Sequence, residues 1–172
     1  PYDGKLYYFA HKELGEANGS GSVWQADEQG SQVLFDGQTF NNFTMRDQYI
    51  ALANITEPKN PEDLFGYHVY YADLKDGKLQ DLGDLPVAYG FPVDGHLLGM
   101  QSEIVEYSRP FILYCYDMQK KEMTSWAPNA EEKNKLFDPT IEGQQQLYLR
   151  GNRLKNGSLQ MLLHTTIPVG GG

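Results

Sequence analysis

The chain is 172 residues long, 40% hydrophobic and 22% charged, a balance that excludes a disordered polymer and suits one compact domain or a segment of a larger one. Its formal net charge of −9, with no cluster of Lys and Arg, argues against nucleic acid or an anionic membrane surface as partner. No apolar run approaches the roughly 20 residues of a membrane span, so membrane insertion of this segment is not expected.

Aromatic residues make up 13% of the chain, with 12 Tyr, and 18 Gly and 9 Pro supply turn chemistry. Aromatic side chains pack well on pleated surfaces, so these counts favour an all-β fold. The chain opens on Pro1-Tyr2-Asp3-Gly4 without a signal sequence or initiator Met, as a processed exported chain would.

In chain order, Asp3-Gly4-Lys5-Leu6-Tyr7-Tyr8 reads as a turn entering a strand. Ser22-Val23-Trp24-Gln25-Ala26-Asp27 is a second strand; the polar turn Glu28-Gln29-Gly30 and the returning Val33 make it half of a hairpin. Phe43-Thr44-Met45 is a short strand, and Asp47-Gln48-Tyr49-Ile50-Ala51-Leu52 then repeats the first pattern without a gap. His68-Val69-Tyr70-Tyr71-Ala72-Asp73 repeats the second, with its turn at 74–77 and Leu79 beyond. The cycle returns in Phe91-Pro92-Val93, in Asp94-Gly95-His96-Leu97-Leu98-Gly99, and in Ile112-Leu113-Tyr114-Cys115-Tyr116-Asp117 with Met123 beyond its turn. Residues 129–136 read as one helical turn in a loop. Pro139-Thr140-Ile141 and Glu142 to Leu149 begin a fourth round, which stops near Leu159–Thr166. Variable loops fall at one place in each round, at 11–20, 56–66, 102–109 and 151–157.

Four short strands recurring every 45 residues or so are the pattern of a β-propeller blade, which cannot bury both faces alone and stacks on its neighbours. The expected architecture is an all-β, propeller-like array of four-stranded antiparallel blades with about 3.5–4 repeats. The approximate units are 1–38, 39–85, 86–133 and 134–167, forming one domain, with 168–172 as a tail or linker. Three closures compete: a fragment of a ring of roughly six to eight blades, a small four-bladed ring, or an arc completed by the rest of a parent chain or a second copy. The fragment is favoured.

Trp24-Gln25-Ala26-Asp27, Tyr70-Tyr71-Ala72-Asp73 and Tyr114-Cys115-Tyr116-Asp117 resemble the Tyr-Trp-Thr-Asp repeat of low-density-lipoprotein-receptor-type propellers. They are more similar still to the degenerate repeats of bacterial exported, lipoprotein-like propellers and of the TolB-like group. None of the three has Trp second or Thr third. The resemblance implies a propeller fold and an extracytoplasmic setting, secreted, periplasmic or at the cell surface; it carries over no ligand. It also implies that each motif lies on a middle strand. Asp27, Asp73 and Asp117 are then structural turn residues, accepting backbone N–H bonds as turn Asp residues do.

No catalytic constellation is present in the sequence: no Gly-x-Ser-x-Gly, His-Glu-x-x-His, paired Cys or phosphate-binding loop. His11, His68, His96 and His164 stand at unlike repeat positions, and Cys115 reads as a small buried hydrophobe. Asp73, Asp76, Asp81 and Asp84 form an acidic group without calcium-loop spacing, read as a solvated turn, so neither metal nor cofactor is expected. Four Asn-x-Ser/Thr acceptors, Asn18, Asn42, Asn54 and Asn156, suit glycosylation in a eukaryotic secretory route, although Asn18 and Asn156 also precede turn glycines.

What remains is binding at loop tips, with Phe65, Tyr67 and Tyr107 as aromatic anchors. The leading expectation is a noncatalytic extracytoplasmic binding module for a protein, peptide or glycan. The alternatives are a propeller-type lyase or hydrolase whose acids, Asp47, Asp94 and Glu142, converge in a central channel, and a sensor ectodomain of a membrane-anchored chain.

Overall fold

The computed structural model describes residues 1–11, 21–59, 65–86, 90–93, 95–101, 110–137, 140, 146–156 and 158–166. These residues form thirteen strands and one short helix, so the fold is all-β. The strands are β1 (Leu6–His11), β2 (Gly21–Asp27), β3 (Gly30–Phe40), β4 (Asn42–Arg46), β5 (Tyr49–Thr56), β6 (Gly66–Asp73) and β7 (Lys78–Leu85). They continue as β8 (Phe91–Val93), β9 (His96–Gln101), β10 (Ile112–Asp117), β11 (Glu122–Trp126), β12 (Gln146–Lys155) and β13 (Ser158–Thr166).

They assemble into sheets ordered β1-β2-β3, β4-β5-β6-β7, β8-β9-β10-β11 and β12-β13, each strand beside its sequence neighbour. The pairings with defined register are antiparallel. Two compact units result, Pro1–Pro92 and Val93–Gly172.

In the first unit the register explains how two sheets share a core. Ile50 opposes Ala72 and Leu52 opposes Tyr70, so these four lie on one face of β4–β7, here called its front. Phe9 opposes Val23, and Val23 opposes Phe35, which places them on the back of β1–β3. Val23, Phe35, Phe40, Ile50, Leu52, Tyr70 and Ala72 form one buried cluster, with Tyr7, Phe9, Phe43 and Met45 packed around it. The rings of Phe9 and Phe43 stack at 6.1 Å, and Phe40 meets Tyr70 edge-on at 5.5 Å. The back of the first sheet thus covers the front of the second. Thr44 Oγ1 also donates to the Gly90 carbonyl, tying the edge strand β4 to the chain that leaves the sheet.

In the second unit Val93, Leu97, Leu98, Phe111, Leu113, Leu147 and Leu149 are buried. The Leu149 N–H points at the Met100 sulfur, 3.1 Å away, linking β12 to β9. Two features depart from the sequence expectations. Residues 151–155, read as loop, continue β12, because a bulge between Leu149 and Gly151 lets pairing resume to Lys155–Ser158. The single helical turn is a seven-residue helix, α1 (Ala130–Leu136), begun by a capping box in which Asn129 and Glu132 satisfy each other's backbone N–H. The segments at 138–139, 141–145 and 167–172, including most of Pro139-Thr140-Ile141 at the start of the fourth round, lie outside the described residues.

Candidate functional site: the loop end of the second sheet

Each of the first three sheets has a turn end and a loop end. At the turn ends stand the repeat aspartates. Asp27 Oδ1 accepts the N–H of Gln29 at 2.9 Å, Asp73 Oδ1 that of Lys75 at 2.9 Å, and Asp117 Oδ1 those of Gln119 and Lys120 at 3.0 and 2.9 Å. The second carboxylate oxygen reaches the neighbouring hairpin: Gln48 Nε2 donates to Asp73 Oδ2 at 3.2 Å, and His96 Nε2 lies 3.8 Å from Asp117 Oδ2. The Lys120 N–H is the main reason the Asp117 carboxyl sits below the ordinary carboxylate range.

At the opposite end of β6 and β7 a charged clamp forms. From Asp73–Lys78 to Tyr70–Asp81 the hairpin pairs regularly; a bulge then intervenes, and His68 opposes Asp84. Gly83, at φ +74°, takes the left-handed conformation in this bulge, and its N–H donates to Asp81 Oδ1 at 2.8 Å. The His68 ring therefore lies between two carboxylates, with Nδ1 2.7 Å from Asp84 Oδ1 and Nε2 2.8 Å from Asp81 Oδ1. Lys59 Nζ closes on Asp84 Oδ2 at 2.7 Å, and the Tyr70 ring lies 5.0 Å from the imidazole.

Both ring nitrogens face acceptors, so the geometry fits an imidazolium donating twice. Burial opposes the charged ring, but the bonds to Asp84 and Asp81 and their charges outweigh it and raise the His68 pKa. The Asp84 carboxyl is held low, first by the Lys59 hydrogen bond and then by His68. Burial, with Asp81 and Asp84 behind it, raises the Tyr70 phenol. As an imidazolium donating from both nitrogens, the His68 ring bridges Asp81 and Asp84 at the end of the β6–β7 hairpin.

Of the aromatic anchors, Phe65 is 53% exposed just before β6, and Tyr67 is half-buried between its strand partners Ile55 and Leu85. Tyr67 and Ile55 lie on the face opposite His68, so the sheet end carries an apolar side and a charged side. Tyr107 lies outside the described residues, as do Asp94 and Glu142; Asp47 sits in the β4–β5 turn at φ +53°. Of the acidic group, Asp73 and Asp76 each accept a turn N–H, while Asp81 and Asp84 join the His68 clamp. Sequence reasoning passed over this clamp because a hairpin without the bulge sets Gly83, not Asp84, against His68.

Cys115 is half-buried on β10, and burial, then Asp117, raises its thiol pKa. Among the described residues no cluster of His, Cys, Asp and Glu could hold a metal ion, and no helix is long and apolar enough to cross a membrane. Of the glycan acceptors, Asn42 and Asn54 lie in strands and Asn156 in the exposed β12–β13 turn; Asn18 lies outside the described residues.

No protein-family model matches the chain, and no curated protein sequence does. In fold the chain is similar to a solved variant of the AtxE2 isopeptidase with astexin3-dC4 bound, at a TM-score of 0.52 and 9% identity, over 94% of this chain and 24% of that one. The chain thus spans about a quarter of that protein's length. At this identity the likeness concerns the fold alone.

Proposed function

We propose that the chain is an arc of a β-propeller that works outside the cytoplasm as a noncatalytic binding module for a protein, peptide or glycan. The observation that carries this reading is the recurrence of one sheet plan. One set of hairpins turns at Tyr2–Lys5 and Arg46–Tyr49, and a second set turns after Asp27, Asp73 and Asp117. Up-and-down sheets of this kind bury their faces on one another, which is the physical logic of a propeller and of the Tyr-Trp-Thr-Asp and TolB-like repeats the sequence resembles.

The loop end of β5–β7 is the place for a ligand: Phe65 and Ile55 are exposed there, and the Lys59–Asp84–His68–Asp81 array lies beside them. Aromatic anchors beside polar groups of fixed geometry are the usual composition of a binding patch. Screening the purified protein against glycan arrays and peptide libraries tests this. A saturable ligand whose affinity falls at least about tenfold in Phe65→Ala supports the site. Turnover of a substrate without saturable binding at this end contradicts the reading.

A second reading draws on the isopeptidase likeness: the chain is the noncatalytic part of a larger enzyme acting on peptides, with the reacting groups elsewhere in that protein. It predicts that isolated peptides bind this chain but are not cleaved by it.

A further inference from the structure

The His68 clamp demands more hydrogen bonds than a neutral ring can supply. Nδ1 stands 2.7 Å from Asp84 Oδ1 and Nε2 stands 2.8 Å from Asp81 Oδ1, and both oxygens are acceptors. An imidazolium donates to each. A neutral imidazole has a single N–H, and its other nitrogen turns a lone pair toward a carboxylate at a distance where two acceptors repel. Loss of one proton therefore opens one of the two contacts.

The surroundings decide which one. Asp84 opposes His68 in the ladder and is also held by Lys59 Nζ at 2.7 Å, with its side chain 35% exposed. Asp81, opposite Tyr70, has a side chain 62% exposed. The more exposed carboxylate regains water at the smaller cost, so the contact to Asp81 is the one that gives way. We propose that His68 is a proton-operated latch: charged, it ties Asp81 to Asp84; neutral, it keeps its Nδ1–H on Asp84 and releases Asp81.

The released oxygen is the one that also accepts the Gly83 N–H at 2.8 Å, so the switch reaches the bulge that sets the register of β7. With the ring charged, Lys59 and His68 balance Asp81 and Asp84; with the ring neutral, an exposed carboxylate is left over. The neighbours leave the ring as the group that titrates. Burial raises the Tyr70 phenol, which stays neutral, and Lys59 and His68 hold Asp84 low, so it stays ionised. Asn54, opposite His68 on β5, carries no charge, and the preceding sheet meets this front with Val23, Phe35 and Phe40. The latch is a property of the β6–β7 hairpin and does not depend on a ligand or on the site at Phe65.

Ring-nitrogen NMR spectra of the isotopically labelled protein, with His68 assigned from His68→Gln, test this between about pH 5.5 and 9. The expected result is two protonated nitrogens at the acid end and, at the alkaline end, a protonated Nδ1 beside a bare Nε2. The Gly83 amide resonance shifts with the same midpoint. In Asp81→Asn, which removes one of the two carboxylate charges, the His68 midpoint falls by about one pH unit or more. A neutral ring protonated at Nε2 overturns the proposal, as does a ring still charged at the alkaline end. So does a Gly83 amide indifferent to the ring, or an Asp81→Asn protein whose His68 titrates as in the native chain.

Discussion

His68 and Asp84 face each other across β6 and β7 with Nδ1 and Oδ1 2.7 Å apart, a pairing that exists only because the bulge at Gly83 shifts the outer strand by one residue. Replacing Gly83 by Val places a side chain at positive φ, where β-branched residues are strained, at a cost of about 1–2 kcal/mol. The expected outcome is loss of the bulge and of the His68–Asp84 contact. Changed His68 chemical shifts in a stable protein would report it; unchanged shifts would show that the bulge does not depend on glycine.

The same clamp gives a pH dependence with a definite sign. His68 has a raised folded pKa, so its contribution is fully present below the unfolded value near about 6.5 and disappears as pH rises through the higher folded value. Thermal unfolding of the native chain and of His68→Gln should therefore differ most at pH 5.5–6 and converge toward alkaline pH, by roughly 2–4 °C in Tm at most. A difference that grows with pH would contradict the assignment of an imidazolium.

At the turn end, Asp73 holds two partners at once, the Lys75 N–H and the Gln48 amide. Asp73→Ala should cost about 1–2 kcal/mol, and Asp73→Asn much less, because an amide oxygen still accepts the N–H. Equal losses in urea denaturation of both variants would mean that charge, not hydrogen bonding, is what the position supplies.

Gly66 tests whether the anchor loop depends on close backbone approach. A Cβ there meets the carbonyl oxygen of Glu57, which is main chain and cannot swing aside, and the Thr56 hydroxyl. Gly66→Ala should destabilise by about 1–3 kcal/mol and displace Phe65, so ligand affinity and stability fall together. A stable Gly66→Ala protein of unaltered affinity would place the binding surface elsewhere.

Phe40, fully buried against Tyr70, should cost about 3–5 kcal/mol on truncation to Ala, whereas Leu6→Ala in the isolated chain should cost less than about 1 kcal/mol.

The strand plan was legible in the sequence because alternation and turn residues are local signals. Asp27, Asp73 and Asp117 mark hairpin turns through hydrogen bonds made within three residues of themselves. The short segments Phe43-Thr44-Met45 and Phe91-Pro92-Val93 are edge strands paired to β5 and β9. What escaped was register. The bulge at Leu149/Gly151 turns an expected loop into strand, and the bulge at Gly83 brings Asp84 to His68; neither leaves more than one glycine as its trace. The acidic residues of β7 were visible as a group, but which of them shares a face with His68 depends on one extra residue in the ladder. Tyr67 shows the same limit: its spacing places it on a strand, while its being opposite the clamp follows only from the pairing with Ile55.

The most direct measurement is a crystal structure of the protein that traces every strand. Successive sheets should fan around a common axis with β4 and β8 innermost and the β3, β7 and β11 edges outermost. Two flat sheets facing each other as a sandwich, or a single closed barrel, would contradict the account.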